Sequence, residues 1–451
     1  MIFDSESVFE ENVITVLKQH GWKDGVLRYP TERDLLDNWK DILYRNNNDI
    51  DRLGKYPLTD GEMAQVIEQI ETLRTPLALN SFVNGRTVSI TRDNKEDVAH
   101  FGKEVSLYIY DRKEIAGGKS TYQIVQQPVY PAKNKMLSSR RGDLVLLING
   151  MPLIHIELKR SGIPVSQATN QIEKYAHEGV FTGLFRLVQI FVAMTPDDAV
   201  YFANPGADKF NPSYYFHWAD YNNEPICGGQ NPGKDEWKLF IGGTSGTAGL
   251  LSIPMAHQLI GFYTIADSAD GCLKVLRSYQ YIAANAISDV VRKCDWEQRP
   301  SMPGRPGGYV WHTTGSGKTM TSFKSAQLIA DSHDADKVVF LMDRIELGTQ
   351  SLKEYRSFAD SETEVQGTEN TGVLRDKLNS TNVNDTLIVT SIQKMSNVKA
   401  GERGVTQTWL DQLAARRIVF IVDECHRSTF GDMLQVIRRS FPNALFFGFT
   451  G

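Results

Sequence analysis

Trp311-His312-Thr313-Thr314-Gly315-Ser316-Gly317-Lys318-Thr319 follows a short apolar run and leads into a stretch with helical periodicity. Gly315 and Gly317 allow the backbone to curl, so that successive amide hydrogens converge on one point. The start of a helix adds its own free amides at the same place. An ammonium at Lys318 and a hydroxyl at Thr319 complete a set suited to a nucleotide phosphate with its Mg²⁺. Lys318 is expected to bridge the β- and γ-phosphates and Thr319 to ligate the metal, with Thr314, Gly315, Ser316 and Gly317 forming the cradle. The general pattern G-x-x-x-x-G-K-[ST] asks for Gly where this chain has His312. The Gly-Ser-Gly-Lys-Thr kernel between a strand and a helix nevertheless makes a purely structural turn a poor account of the stretch.

The surrounding pattern agrees. Apolar strands are predicted at 308–311, 338–342, 387–390, 418–422 and 444–448, with helices at 317–330, 346–357, 371–379, 406–415 and 432–440 between them. This alternation implies a parallel sheet covered on both faces, with nucleotide chemistry at the carboxyl ends of its strands. The fourth strand, 418–422, ends in Asp423-Glu424-Cys425-His426. An acid there is costly unless partnered. Beside a phosphate loop the partner for Asp423 is Mg²⁺, and Glu424 is placed to polarise the attacking water.

Composition sets wider bounds. The chain has 451 residues, room for two to four domains at about 100–200 residues each. Apolar residues make up 41% and charged residues 23%, which suits ordinary globular cores. The net charge of −5 means that any grip on nucleic acid must come from local clusters. Lys133, Lys135, Arg140 and Arg141 form one such cluster, although composition alone favours a solvated loop there. Four distant cysteines, with no CxxC pair, indicate neither a zinc ribbon nor a disulfide framework and suit a reducing compartment. The acidic N-terminus is unlike a secretory signal, and the apolar run at 187–194 is too short to span a bilayer. A cytoplasmic location is therefore expected.

The first half is predicted to begin with a helix over 5–20 and to contain another near 60–74. Phe82, Val83, Val88, Val105, Leu107 and Ile109 read as strands with one wet face. Residues 141–148 read as a strand, Asn149-Gly150 as a two-residue hairpin turn, and residues 151–159 as the returning strand. Side chains alternate along a strand, so Glu157 and Lys159 share a face. The hairpin register sets Asp143 opposite the region just before Glu157. Two carboxylates can hold Mg²⁺ at a phosphodiester and activate water, and a lysine can orient that water or stabilise the transition state. Asp143 and Glu157 are thus candidate metal ligands and Lys159 a candidate catalytic group. Glu-x-Lys is also common on exposed strand faces, so the hairpin alone does not decide the chemistry. Strands follow at 187–194 and 199–202, and the Gly-, Asn- and Pro-rich residues 203–250 read as loops between domains, with a boundary near 255.

These motifs resemble two known families. Asp143-x13-Glu157-x-Lys159, followed by Gln171 and Tyr175 four residues apart, resembles the PD-(D/E)xK nucleases, in one branch of which a Gln-x-x-x-Tyr pair follows the core motif. An amphipathic helix with a half-buried Tyr would give the same spacing. The phosphate loop with Asp423-Glu424-x-His426 is similar to superfamily 2 helicases and translocases. Asp343-Arg344 with Leu347 and Gln350, and Thr390-Ser391-Ile392-Gln393-Lys394, look like that family's nucleic-acid motifs; Phe449-Thr450-Gly451 looks like the start of motif III. Arg277-Ser278-Tyr279-Gln280 looks like its adenine-reading element, with Gln280 on the base, or equally like a polar helix face.

A nuclease placed before such a motor resembles the restriction (R) subunit of type I restriction-modification enzymes, and His312 fits that family's form of the loop. The resemblance implies an α/β PD-(D/E)xK domain over 1–255 and a first RecA-like motor domain over 256–451. It implies ATP-driven translocation and cleavage of foreign double-stranded DNA, with ATP and Mg²⁺, alongside methyltransferase and specificity subunits. It implies that the chain is an N-terminal portion without the second RecA-like domain, whose ATP turnover on its own is low. An alternative is an RNA or DNA helicase whose N-terminal domain only docks DNA or a partner.

Overall fold

The structure, a computed structural model, describes residues 3–115, 117–130, 140–206, 209–229, 235–297, 307–313, 315–342, 352–353, 356–359, 366–368, 370–402, 405–423 and 430–451. The chain divides into two compact units, Met1–Ser278 and Tyr279–Gly451.

The first unit opens with α1 (Glu6–Gln19), capped by the Ser5 hydroxyl, which accepts from the Val8 amide at 3.3 Å. Phe9, Val13, Ile14 and Leu17 bury its apolar face. Next come β1 (Val26–Arg28), α2 (Glu32–Asn46), α3 (Asp60–Thr72) and α4 (Pro76–Asn84). A small antiparallel pair, β2 (Thr87–Thr91) and β3 (Glu104–Tyr108), follows. Phe82 and Val83 lie in α4 rather than in a strand. Thr75 caps that helix and Pro76 supplies its first turn, and these local signals outweigh the apolar pair.

The main sheet of this unit holds β4 (Tyr122–Gln126), β5 (Leu144–Ile148), β6 (Met151–Leu158), β7 (Ile190–Met194) and β8 (Ala199–Ala203), in the order β1-β4-β5-β6-β7-β8. β1–β4 and β6–β7 are parallel and the other pairs antiparallel. Every residue of β4 to β8 is buried, so the sheet is covered on both faces and shows no alternation. α5 (Val165–His177) packs on β6 and β7, setting Ala168 and Ile172 against Phe191, Ala193 and Phe202. The predicted strand at 187–194 begins only at Ile190, because Gly183–Leu187 forms a 3-10 turn. Loops and α6 (Glu236–Gly242) fill most of 203–250.

The β5–β6 hairpin turns at Asn149 and Gly150, with φ of +52° and +84°, the two left-handed centres of a type I′ turn. Its register runs from Ile148 opposite Met151 to Leu144 opposite Ile156, with a bulge between Leu146 and Leu147. Asp143 just precedes this hairpin and Lys159 just follows it, so both sit at its open end. The unit continues past the expected boundary at 255 through α7 (Met255–Gly261), β9 (Thr264–Asp267) and β10 (Cys272–Val275). Two bonds tie this segment down: the Tyr122 hydroxyl lies 2.9 Å from His257 Nδ1, and Tyr201 donates to the Leu276 carbonyl at 2.8 Å.

The second unit starts within α8 (Ser278–Arg292). Its sheet is wholly parallel: β11 (Gly307–Trp311), β12 (Lys337–Met342), β13 (Gln366–Gly367), β14 (Leu387–Ser391), β15 (Ile418–Val422) and β16 (Leu445–Thr450), ordered β11-β16-β15-β12-β14-β13. The five predicted strands appear with ends shifted by a residue or two, and the two-residue β13 is additional. α9 (Lys318–Ser332) and the helices Thr371–Asn379, Gln407–Ala414 and Phe430–Ser440 match predicted positions. Most of the helix predicted at 346–357 lies outside the described residues. Alternate residues of each strand feed two cores, Val338 and Phe340 with Phe323 on one face, Val339 and Leu341 with Leu410 on the other. Among the described residues no helix is long and apolar enough to cross a membrane.

Candidate active sites

The first candidate site lies at the open end of the β5–β6 hairpin. Asp143 Oδ2 accepts from the Leu158 amide at 2.7 Å, which pins the end of β5 to the end of β6. Lys159 Nζ lies 3.3 Å from Glu157 Oε1 and donates to the Leu158 carbonyl at 2.8 Å. From α1, Glu6 Oε1 approaches the same ammonium at 3.7 Å. Asp143, Glu157 and Lys159 therefore converge.

Gln171 and Tyr175, one turn apart on α5, meet each other: Gln171 Nε2 donates to the Tyr175 hydroxyl at 2.6 Å. That hydroxyl donates in turn to the Arg141 carbonyl at 2.9 Å, two residues before Asp143. The pair thus braces the backbone that carries Asp143 rather than reaching the carboxylates. Of the basic cluster, Lys133 and Lys135 lie outside the described residues, and Arg140 forms a two-pronged ion pair with Glu178 at 2.9 and 3.0 Å.

Electrostatically the site is starved of positive charge. Burial, with the Glu157 charge added, lifts the Asp143 carboxyl well above the usual carboxylate range. Burial also pushes Glu157 up to about 7, against the pull of Lys159. Glu157 Oε2 is buried with no hydrogen-bond partner. Such an orphaned carboxylate oxygen beside a second carboxylate is what a divalent cation would satisfy. Among the described residues no cluster of three or more His, Cys, Asp or Glu side chains is arranged around a metal position. The donor set suits Mg²⁺, which is commonly held by one or two carboxylates with waters and phosphate oxygens completing its shell.

Three neighbours, His155, Tyr130 and Glu10, carry no mark in the sequence motifs. His155 is fully buried on β6, two residues before Glu157, and its Nδ1 lies 2.9 Å from the Tyr130 hydroxyl. The period of two along β6 points to His155; nothing local points to Tyr130. Glu10 of α1 is buried against Gln126 and Gln127, and burial, with a contribution from Asp143, raises its carboxyl.

The second candidate site is the loop between β11 and α9. Gly315 and Gly317 have φ of +78° and +83°. A Cβ at 317 would also sit 2.5 Å from Gln280 Nε2, so Gly317 is required on both counts. Gly317 caps α9, Lys318 and Thr319 form its first turn, and Lys318 Nζ reaches Asp423 Oδ1 at 3.2 Å. Asp423 closes β15 by donating its amide to the Leu341 carbonyl at 3.0 Å. A loop lysine and a strand-end aspartate thus meet, as a site for a phosphate-bound cation requires.

His312 is built into the loop. Its amide donates to the Thr450 carbonyl at 2.7 Å, its ring stacks on Phe449, and its Nδ1 lies 2.7 Å from the Ser316 hydroxyl. Burial and the Lys318 charge lower the His312 pKa. Gln280 is buried with its amide nitrogen 3.2 Å from the Gly317 carbonyl, and Tyr279 donates to the Ser316 carbonyl at 2.7 Å. Both side chains therefore support the loop from α8. Thr390 and Ser391 end β14, and Lys394 reaches the Thr368 carbonyl at 2.5 Å. Thr314, Asp343, Arg344, Leu347, Gln350 and the run Glu424 to Ser428 lie outside the described residues.

Comparison with known proteins adds a family. Residues 4–210 match the type I restriction enzyme R protein N-terminus, and residues 279–451 match the SWI2/SNF2 ATPase family, which accounts for the parallel sheet of the second unit. The SsaAORF53P endonuclease subunit of a type I restriction enzyme from Staphylococcus saprophyticus is 34% identical over 457 aligned residues, covering 100% of this chain and 43% of that protein. The EcoprrI type I restriction enzyme of Escherichia coli has an endonuclease subunit that is 27% identical over 343 residues, covering 69% of this chain and 99% of that protein. Among solved structures, the UvsW helicase of bacteriophage T4 aligns over 44% of this chain and 58% of its own, with 16% identity and a TM-score of 0.29. The chain spans less than half the length of the staphylococcal relative it matches. On these matches, the chain belongs to the endonuclease subunits of type I restriction enzymes.

Proposed function

We propose that the chain carries the nuclease and the first motor domain of a restriction subunit that pulls double-stranded DNA and cuts it. In this reading the first unit is a PD-(D/E)xK endonuclease and the second a RecA-like translocase domain. The observation that supports it best is the meeting of Asp143, Glu157 and Lys159 at one hairpin end, with Glu157 Oε2 buried and making no hydrogen bond.

Asp143 and Glu157 would hold Mg²⁺, which when bound supplies charge neutralisation at the phosphodiester and acidifies a water. Lys159 holds its ammonium beside Glu157, within reach of charge developing on the phosphate. Gln171 and Tyr175 keep the Asp143 backbone in place. In the second unit, Gly315, Ser316 and Gly317 cradle the phosphates of ATP and Lys318 contacts them, with Thr314 completing the loop. Thr319 and Asp423 would hold the nucleotide's Mg²⁺, and Glu424 would orient the attacking water. Gln280 reads the adenine or, as its contact with Gly317 favours, braces the loop. The relatives are named as subunits of restriction enzymes, so methyltransferase and specificity subunits are the proposed partners, in the cytoplasm.

The test uses the protein assembled with those partners. Lys159→Ala should abolish DNA cleavage and leave DNA-stimulated ATP turnover intact. Cleavage that persists removes the nuclease assignment and leaves an N-terminal unit that only docks DNA or a partner.

A further inference from the structure

Behind Glu157 lies a buried polar chain that the nuclease reading does not use. Tyr130 and His155 are 1% and 0% exposed, and the Tyr130 hydroxyl lies 2.9 Å from His155 Nδ1. The other ring nitrogen, Nε2, lies 3.4 Å from Glu157 Oε2. Both of these atoms are buried and neither has a hydrogen-bond partner. Two orphans facing each other are resolved by one proton arrangement. If Tyr130 donates to Nδ1, the neutral imidazole carries its proton on Nε2, on the side of the carboxylate oxygen, although the two atoms form no hydrogen bond as they stand. The opposite tautomer turns a lone pair toward that oxygen and leaves the Tyr130 proton without an acceptor.

The ring cannot turn away. Phe181 and Phe191 stand edge-on to it at centroid distances of 5.4 and 6.0 Å, and Tyr175 at 6.4 Å. The chain also touches the backbone before the second carboxylate. A Cβ on Gly142 would sit 2.6 Å from the Tyr130 oxygen and 2.9 Å from His155 Cε1. Only glycine fits between this pair and the segment leading to Asp143.

We propose that Tyr130 and His155 form a positioning relay that orients the Glu157 carboxylate for a divalent cation. The inference rests on the reading of Asp143 and Glu157 as metal ligands. His155 acts through Glu157: a small shift of the carboxylate brings Oε2 onto the Nε2–H across the 3.4 Å gap, and the remaining lone pairs face the cation. A hydrogen bond behind a metal-binding carboxylate fixes its rotamer and is commonly worth about 10–100-fold in affinity.

The test is calorimetric titration of Mn²⁺ into the chain and its variants, without DNA or nucleotide. Asn at 155 can accept from Tyr130 but is too short to reach Glu157; Gln can place an amide N–H where Nε2 stands. His155→Asn should weaken Mn²⁺ binding by about 10–100-fold, and His155→Gln should keep it near the parent value. Equal affinity in His155→Asn and parent overturns the relay, and so does equal loss in His155→Asn and His155→Gln, which would indicate packing alone. Glu157→Gln is the control. If it binds Mn²⁺ like the parent, the metal site itself is misassigned; if it alone loses binding, only the relay fails. Near-UV circular dichroism checks folding. Should a His155 variant misfold, Tyr130→Phe, which removes one oxygen atom, decides instead: weakened Mn²⁺ binding supports the relay and unchanged binding overturns it.

Discussion

Replacing Glu157 by Gln should stabilise the cation-free chain at alkaline pH while destroying cleavage. The Glu157 side chain is fully buried, and burial raises its carboxyl from 4.5 to about 7 despite the Lys159 ammonium. The folded state therefore binds this proton more tightly than the unfolded state. Its favourable contribution is complete below 4.5 and is lost as pH rises through about 7. A rise of this size corresponds to roughly 3 kcal/mol. Gln carries no charge to desolvate, so it escapes that cost, and the favourable pull of the Lys159 ammonium is already contained in the net rise. The gain expected at pH 8.5 is therefore about 3 kcal/mol, or a melting temperature about 6–9 °C higher for a unit of this size.

Thermal unfolding of parent and Glu157→Gln, at pH 4.5 and pH 8.5 with and without Mg²⁺, measures this difference directly. At pH 4.5 the parent carboxyl is protonated and the gain from Gln should vanish. At pH 8.5 without cation the variant should melt higher. Mg²⁺ at 100 times its Kd should restore the parent by about 2.7 kcal/mol and leave the variant unchanged. A variant that is less stable than the parent at pH 8.5 without cation would refute the reasoning, because it would mean that the buried carboxylate is already well satisfied by the protein.

Three further outcomes are expected. Lys318→Ala removes the ammonium 3.2 Å from Asp423 and should weaken ATP binding by about 10–100-fold, read with a fluorescent ATP analogue, and unchanged binding would exclude the loop as the nucleotide site. Arg92→Met should cost about 3–5 kcal/mol in urea unfolding, since Arg92 is buried between Glu62 at 2.6 Å and Asp97 at 2.9 Å and both carboxylates would lose its guanidinium, keeping only amide and His100 contacts. Gly142→Ala pushes a methyl group onto Tyr130 and should cost about 1–3 kcal/mol of stability, lowering cleavage and Mn²⁺ affinity while the ATP turnover of the assembled enzyme is retained; full cleavage would mean that the hairpin end tolerates displacement.

Much of the second unit was legible in the chain itself. Its strands are continuous apolar runs bounded by turn residues, and its phosphate loop needs glycines at fixed spacing because only they adopt the left-handed backbone. The open end of the first unit's hairpin was legible for the same reason: Asn149-Gly150 fixes the turn, the turn fixes the register, and the register brings Asp143 toward Glu157. These are short-range consequences of backbone geometry, and a single sequence carries them.

What sequence could not decide depends on burial and on distant partners. The period of two sets His155 on the face of Glu157, but β6 is buried on both faces, so nothing in its pattern marked that histidine as part of the site. Tyr130 meets His155 across a separation of 25 positions in the chain. Gln171 and Tyr175 were legible as a pair, but that they brace the Arg141 carbonyl follows only from the docking of α5 on the sheet. The same holds for the residues 255–278, which join the first unit because Tyr122 and Tyr201 find partners there. Local chain geometry determined where the two candidate motifs stand. Tertiary packing decided their electrostatic state, because only the exclusion of water makes a carboxylate such as Glu157 seek a cation.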